Sequence, residues 1–161
     1  MTRLADGDKA PFFDLIDDEG KSVCLTDYTA KLLVLYFYPA DDTPGCTLEA
    51  CQFSDLYGDF AHLNIDVLGI SPDSLSSHEK FKQKHNLKIK LATDPDSTVA
   101  KEYGAYGEKN LYGKKSIGII RSTFLIDGAQ NVLKAFYNVR AKGHAEKVLS
   151  LALGFAGKGS D

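Results

Sequence analysis

Two of the three cysteines in this 161-residue chain fall within one ten-residue stretch, Asp42-Thr43-Pro44-Gly45-Cys46-Thr47-Leu48-Glu49-Ala50-Cys51. A cysteine does chemistry as a thiolate, and a thiolate needs a positive field or a run of hydrogen-bond donors beside it. The neighbours of Cys46 supply both. Thr43 is of the residue type that caps a helix, and Pro44 suits a first helical position because its φ is already fixed there. Cys46 then lies about three residues into the helix, where backbone N–H groups lack carbonyl partners and the macrodipole is positive. Cys46 is therefore a candidate nucleophile.

The elements that must position it are legible on either side. Leu32-Leu33-Val34-Leu35-Tyr36-Phe37-Tyr38 is the most apolar run of the chain and reads as a buried strand closed by Pro39. After the cysteines, Leu48, Cys51, Leu56, Phe60 and Leu63 recur at helical spacing, so the pattern predicts a helix over 44–61 with those residues as its apolar face. Pro11 to Leu25 reads as a hairpin around Asp17-Asp18-Glu19-Gly20, and Ile65 to Ser71 as a second buried strand ended by Pro72. A helix over 74–86 carries a Ser-x-x-Glu capping pattern at Ser76, and a short element at Leu91-Ala92-Thr93 leads into a helix over 97–103 that Gly104 stops. Residues 105–118, rich in Gly, Tyr and Lys, read as an exposed loop. Ser122 to Asp127 and Val132 to Val139 read as paired strands, before a helix over 143–153 that Gly154 ends. This order implies an α/β protein: a central mixed β-sheet flanked by helices, with an N-terminal β-hairpin, compatible with a thioredoxin-like fold. One domain over 1–155 and a disordered tail over 156–161 are expected.

Composition narrows the class. With 43% hydrophobic residues, 25% charged residues and a formal net charge of −3, the chain has enough apolar surface for one core and no electrostatic footprint for nucleic acid. The first nine residues lack the apolar core of a signal peptide, and the run over 32–38 is far short of a membrane span, so a cytoplasmic location and no membrane partner are expected. An odd, small number of cysteines argues against a disulfide scaffold. His62, His78, His85 and His144 are scattered without a cysteine at metal-ligand spacing, so neither a metal nor another cofactor is expected.

Further motifs carry a family resemblance. Tyr36-Phe37-Tyr38-Pro39-x-x-x-Thr43-Pro44-Gly45-Cys46-Thr47-x-Glu49-Ala50-Cys51-x-Phe53 resembles the peroxiredoxins, in particular their bacterioferritin-comigratory (PrxQ) branch. Similar segments follow at Val67 to Ser74, at Ser77-His78-x-Lys80-Phe81, at Tyr112-Gly113-Lys114, at Gly118 to Asp127 and at His144-Ala145, so the resemblance runs nearly end to end. The departures are local: Ala40 and Ser54 stand where Lys and Arg are expected, and Ala105-Tyr106 replaces a Val-Trp pair.

The resemblance implies a thioredoxin fold and thiol-dependent reduction of hydroperoxides. It makes Cys46 the peroxidatic nucleophile and Cys51 the resolving thiol, giving a Cys46–Cys51 disulfide that thioredoxin or a similar thiol reductant recycles. It further implies that Thr43 hydrogen-bonds the thiolate or the peroxide, that Pro39 shapes the pocket wall, that Arg121 is the active-site arginine, and that the protein is a monomer. Arg121 also answers a difficulty, because Asp41 and Asp42 beside Cys46 would oppose a thiolate unless a cation offsets them. Glu49 matches a family position but is equally explained as an acid of the first helical turns. Cys24 reads as an incidental thiol, and Tyr103, Tyr106, Tyr112 and the Lys-rich 109–115 segment as a loop on the active-site rim. Two other classes compete. A general disulfide oxidoreductase favours Cys-x-x-Cys, which the four-residue gap here does not match. A redox sensor or holdase would be oxidised once without turnover. On an intact helix the two cysteines differ by about 140° and roughly 7.5 Å of rise, so their Cα atoms lie about 8.5 Å apart against the roughly 4.4–6.8 Å that a disulfide spans. Residues from about Thr43 to Phe53 must therefore unwind for the pair to bond.

Overall fold

The computed structural model describes residues 3–29, 32–111 and 113–158. Its centre is β3 (Leu32–Phe37), which is apolar at every position because both of its faces are covered. Leu33, Leu35 and Phe37 point into one buried cluster, and Val34 and Tyr36, followed by Tyr38, into another on the opposite side. The strand period of two thus divides one apolar run between two cores. β3 pairs in parallel with β4 (Ile65–Ser71), and β4 in parallel with β5 (Lys90–Thr93). The hairpin of β1 (Asp14–Asp17) and β2 (Ser22–Cys24) adds to β5 antiparallel. On the other flank, β8 (Ser122–Ile126) pairs antiparallel with β3 and β9 (Val132–Phe136) with β8. The result is a seven-stranded mixed sheet in the order β2-β1-β5-β4-β3-β8-β9, a thioredoxin-like arrangement.

Four helices supply the second cluster. They are α1 (Pro44–Asp55), α2 (Tyr57–His62), α3 (Leu75–His85) and α5 (His144–Lys158), contributing among others Ala50, Phe53, Phe60, Phe81 and Val148. The first cluster is closed by a 3-10 turn over Leu25–Tyr28 and by α4 (Thr98–Glu102).

Several sequence expectations need correction. The helix over 44–61 is two helices, broken at Leu56, and the bend lets Phe60 pack on Phe53 with ring centroids 6.0 Å apart. Its buried face is Cys46, Glu49, Ala50, Phe53 and Ser54, whereas Leu48 is 41% exposed. α3 is capped by Ser74, whose hydroxyl accepts from the Ser77 N–H, and not by Ser76, which lies inside the first turn. Residues 105–118 do not form a loop: Tyr106–Leu111 (β6) and Lys114–Ile119 (β7) pair as a separate two-stranded sheet. With most of β7 facing solvent, no apolar alternation marks it as a strand. Tyr103 is fully buried in the first cluster and so is no part of an exposed rim, Tyr106 is half-buried against the same cluster, and Tyr112 lies outside the described residues. Finally, α5 runs through Gly154 to Lys158, because Phe155 still packs on the core beyond the glycine. Of the expected tail, 156–158 is helical in backbone and 159–161 lies outside the described residues.

Candidate active site

The sheet register brings Arg121 to the start of α1. Phe37, the last residue of β3, pairs with Ser122, the first of β8, so Arg121 stands where β3 ends and the loop into α1 begins. Thr43 is the N-cap by backbone geometry, with Pro44 at the first helical position and Cys46 two residues on. Cys46 is 1% exposed. Arg121 Nη2 donates to Cys46 Sγ at 3.2 Å while Nη1 donates to Glu49 Oε1 at 2.6 Å. One planar guanidinium thereby serves two acceptors one helical turn apart, which a lysine could not do. A Cβ on Gly45 would lie 3.2 Å from Arg121 Nη2, so the glycine allows this close approach. Burial works against the Arg121 charge, but Glu49 and Cys46 outweigh it and raise its pKa further.

Glu49 is more than a helix acid. It is fully buried, Oε2 has no partner among the described residues, and burial pushes its carboxyl up to about 7 despite the pull of Arg121. A charged residue on the apolar side of a helix, one turn from the cysteine, was the available signal. Lys109, expected in a solvated segment, lays its side chain back along the hairpin on Gly118. Burial and Arg121 lower its pKa, while Cys46 pulls the other way.

Thr43 does not cap with its side chain; its hydroxyl donates to the Ala40 carbonyl at 3.0 Å. Pro39 is half-buried at the start of that loop. The two acids of the loop are not balanced by Arg121. Asp42 contacts Lys84 at 2.7 Å and His85 at 3.0 Å, whose hydrogen bonds hold it below the usual carboxylate range. Asp41 turns the other way, toward Tyr38, Ser77 and His78. Cys51 is half-buried on another side of α1, lining a small cavity with Ser54, Asp55, His85, Asn86 and Lys88; burial and then Asp55 raise its thiol pKa. Cys24 lies in the hairpin with Sγ 3.7 Å from the Asp27 carboxylate, away from this group. All three cysteines are free thiols. Among the described residues no cluster of His, Cys, Asp or Glu is placed to hold a metal ion, and no helix is long and apolar enough to cross a membrane.

Residues 7–135 match the model of the AhpC/TSA family. The chain belongs to that family. It is 50% identical over 149 residues to a putative peroxiredoxin Bcp of Helicobacter pylori, covering 92% of this chain and 98% of the relative. Peroxiredoxin Bcp of Bacillus subtilis is 46% identical over 143 residues, 89% of this chain and 91% of that one. Among solved structures, a Cys-to-Ser variant of Xylella fastidiosa PrxQ superposes with a TM-score of 0.90 at 36% identity, over 97% of this chain and 99% of its own. The bacterioferritin comigratory protein of Xanthomonas campestris gives 0.87 at 35% identity over 96% and 99%. These place the chain in the PrxQ branch of the peroxiredoxins. A peroxiredoxin is a thiol peroxidase, with a hydroperoxide as substrate and a thiol as reductant.

Proposed function

We propose that this peroxiredoxin reduces hydrogen peroxide and organic hydroperoxides with Cys46 as nucleophile, and is recycled through a Cys46–Cys51 disulfide by thioredoxin or a similar dithiol protein. The observation that carries the reading is the Arg121 guanidinium 3.2 Å from a buried Cys46 in the first turn of α1. The Cys46 thiolate attacks one peroxide oxygen, the O–O bond breaks, and the second oxygen leaves as alcohol or water after taking a proton. Cys46 is oxidised to the sulfenic acid as the peroxide is reduced. Arg121 offers donors to the thiolate and to the oxygen that gains charge. For Thr43 to bond the peroxide, its hydroxyl must release the Ala40 carbonyl, and Pro39 limits water at the mouth. The Cys51 thiolate then attacks Cys46 Sγ, the sulfenic oxygen leaves as water with one added proton, and the disulfide forms. The dithiol partner reduces that bond and is itself oxidised. The Xanthomonas campestris relative is described by its alkyl peroxide reduction activity, which supports organic hydroperoxides as substrates here.

Mass spectrometry after one equivalent of peroxide tests the reading directly. The expected product is two hydrogen atoms lighter, with Cys46 and Cys51 in one linked peptide. A disulfide through Cys24, or sustained turnover after Cys46→Ser, would overturn it. A single stoichiometric oxidation, without turnover when a dithiol reductant is supplied, would instead make the protein a redox sensor.

A further inference from the structure

His78 is a titratable side chain with no part in the chemistry above, and it is completely buried. It projects from α3 between two acceptors. Its Nε2 lies 3.0 Å from the backbone carbonyl of Ala92 on β5, which can only accept. Its Nδ1 lies 2.8 Å from Asp41 Oδ2. The same carboxyl accepts from the Tyr38 hydroxyl at 2.6 Å and from the Ser77 hydroxyl at 2.7 Å. Burial alone would raise the Asp41 pKa, yet these hydrogen bonds outweigh it and hold the carboxyl below its ordinary range. A neutral imidazole has a single N–H and would set a lone pair against one of these acceptors.

The groups around this pair are few. Tyr38 faces it from the end of β3, with its hydroxyl also 3.4 Å from His78 Nδ1, Ser77 faces it from α3, and β5 through the Ala92 carbonyl. Asp73 approaches from the turn before α3, but its carboxylate is occupied by the Asp41 backbone N–H and the Ser71 hydroxyl, both at 2.7 Å. His78 is thus the one basic side chain in contact with Asp41 among the described residues.

We infer that His78 donates from both ring nitrogens as an imidazolium, and that its buried ion pair with Asp41 cancels the carboxylate next to the cysteine loop and fixes that loop against α3. His78 is a positioning residue: it touches neither sulfur nor peroxide. Asp41 stands five residues before Cys46, at the centre of the segment from Pro39 to Thr43. Without its counter-charge that carboxylate opposes a Cys46 thiolate, and without the His78 contact the loop loses its link to β5. Arg121 is then left to Cys46 and Glu49. The inference rests on Cys46 being the reactive thiol, so its first test is independent of peroxidase activity.

That test is nitrogen-15 NMR of the reduced, full-length protein with labelled histidine. Near neutral pH both His78 nitrogens are expected to carry directly bonded protons, and Asp41→Asn is expected to leave only one protonated. A single protonated nitrogen in the unsubstituted protein overturns the inference. The second test is the pH midpoint of Cys46 alkylation. His78→Asn is expected to shift it upward, lowering the thiolate fraction at neutral pH roughly three- to tenfold, and adding Asp41→Asn is expected to return it. A role in packing alone predicts no such return, and an unmoved midpoint in a folded His78→Asn protein also refutes the proposal. If His78→Asn does not fold, the NMR comparison with Asp41→Asn decides alone. A protein that passes both tests but does not turn over peroxide would count against the peroxidase reading and leave the His78 pair standing.

Discussion

Replacing Glu49 with Gln isolates the energetics of the most buried charge beside Cys46. Glutamine keeps the shape and still offers an oxygen to Arg121 Nη1, which donates to Glu49 Oε1 at 2.6 Å, but it cannot ionise. Burial raises the Glu49 carboxyl from 4.5 to about 7. The sign follows from linkage. The folded value lies above the unfolded one, so between them the folded chain holds a proton that the unfolded chain has released. The stability this confers is complete below about pH 4.5 and is lost as the pH rises to about 7. That gap corresponds to about 3 kcal/mol. Urea unfolding of both reduced proteins across this range gives the comparison, and groups common to both, Asp41 among them, cancel in the difference. The Glu49→Gln protein is expected to gain on the unsubstituted one by about 3 kcal/mol from the acid to the alkaline end. Parallel stability profiles, within about 0.5 kcal/mol of one another, would refute the assignment of a raised carboxyl to Glu49.

Three other outcomes are expected. Arg121→Lys keeps the charge but cannot reach Cys46 and Glu49 together, so the peroxide step should slow by about 10- to 100-fold; an unchanged second-order rate by stopped flow removes Arg121 from the site. Gly69→Ala puts a Cβ 2.8 Å from Tyr36 Cζ and 3.0 Å from Leu91 Cδ2. Overpacking of that kind should destabilise by about 1–3 kcal/mol, and an unmoved thermal midpoint contradicts it. Hydrogen exchange measured over residues 43–56 should speed up in the first part of that segment in the Cys46–Cys51 disulfide form relative to the reduced protein, and equal protection throughout in the two states would mean that no unwinding occurs.

What the sequence revealed follows from how local each signal is. β3 and β4 were legible because strands buried on both faces are apolar at nearly every position, and α1 was legible at its start because Thr43 and Pro44 act locally. The β6–β7 hairpin was not, since β7 faces solvent over most of its length and shows no alternation. Cys46 could be found from its helix position. The role of Arg121 beside it depends on the register of β3 against β8, which joins residues 75 apart in sequence, and only the family resemblance singled it out. Glu49 and Asp41 show the same limit more sharply. Their charges suggest solvent, and what makes each tolerable indoors is a partner far along the chain: Arg121 for one, His78 for the other.

The same helix must be intact for one half of the proposed cycle and open for the other, and its anchors bear on where it opens. Phe53 is fully buried, stacked on Tyr36 at 4.8 Å and meeting Phe60 and His144 at 6.0 and 6.1 Å. Expelling a side chain of that size costs about 1.5–3 kcal/mol. The Ser54 hydroxyl accepts from the Lys88 N–H at 2.8 Å just beyond it, holding the second half of α1 to the segment after α3. Before Phe53 any opening that reaches Cys51 already gives up the Arg121 bonds to Cys46 and Glu49 and the burial of Ala50, whereas Gln52 adds only one exposed hydrogen bond, accepted from the Gly143 N–H. Unwinding that stops at Gln52 frees Cys51 and leaves Phe53 in the core, so it costs least. Cys51 sits on the cheap side of that boundary by two residues, and faster exchange in the disulfide form should therefore end at Phe53 rather than run to the end of α1.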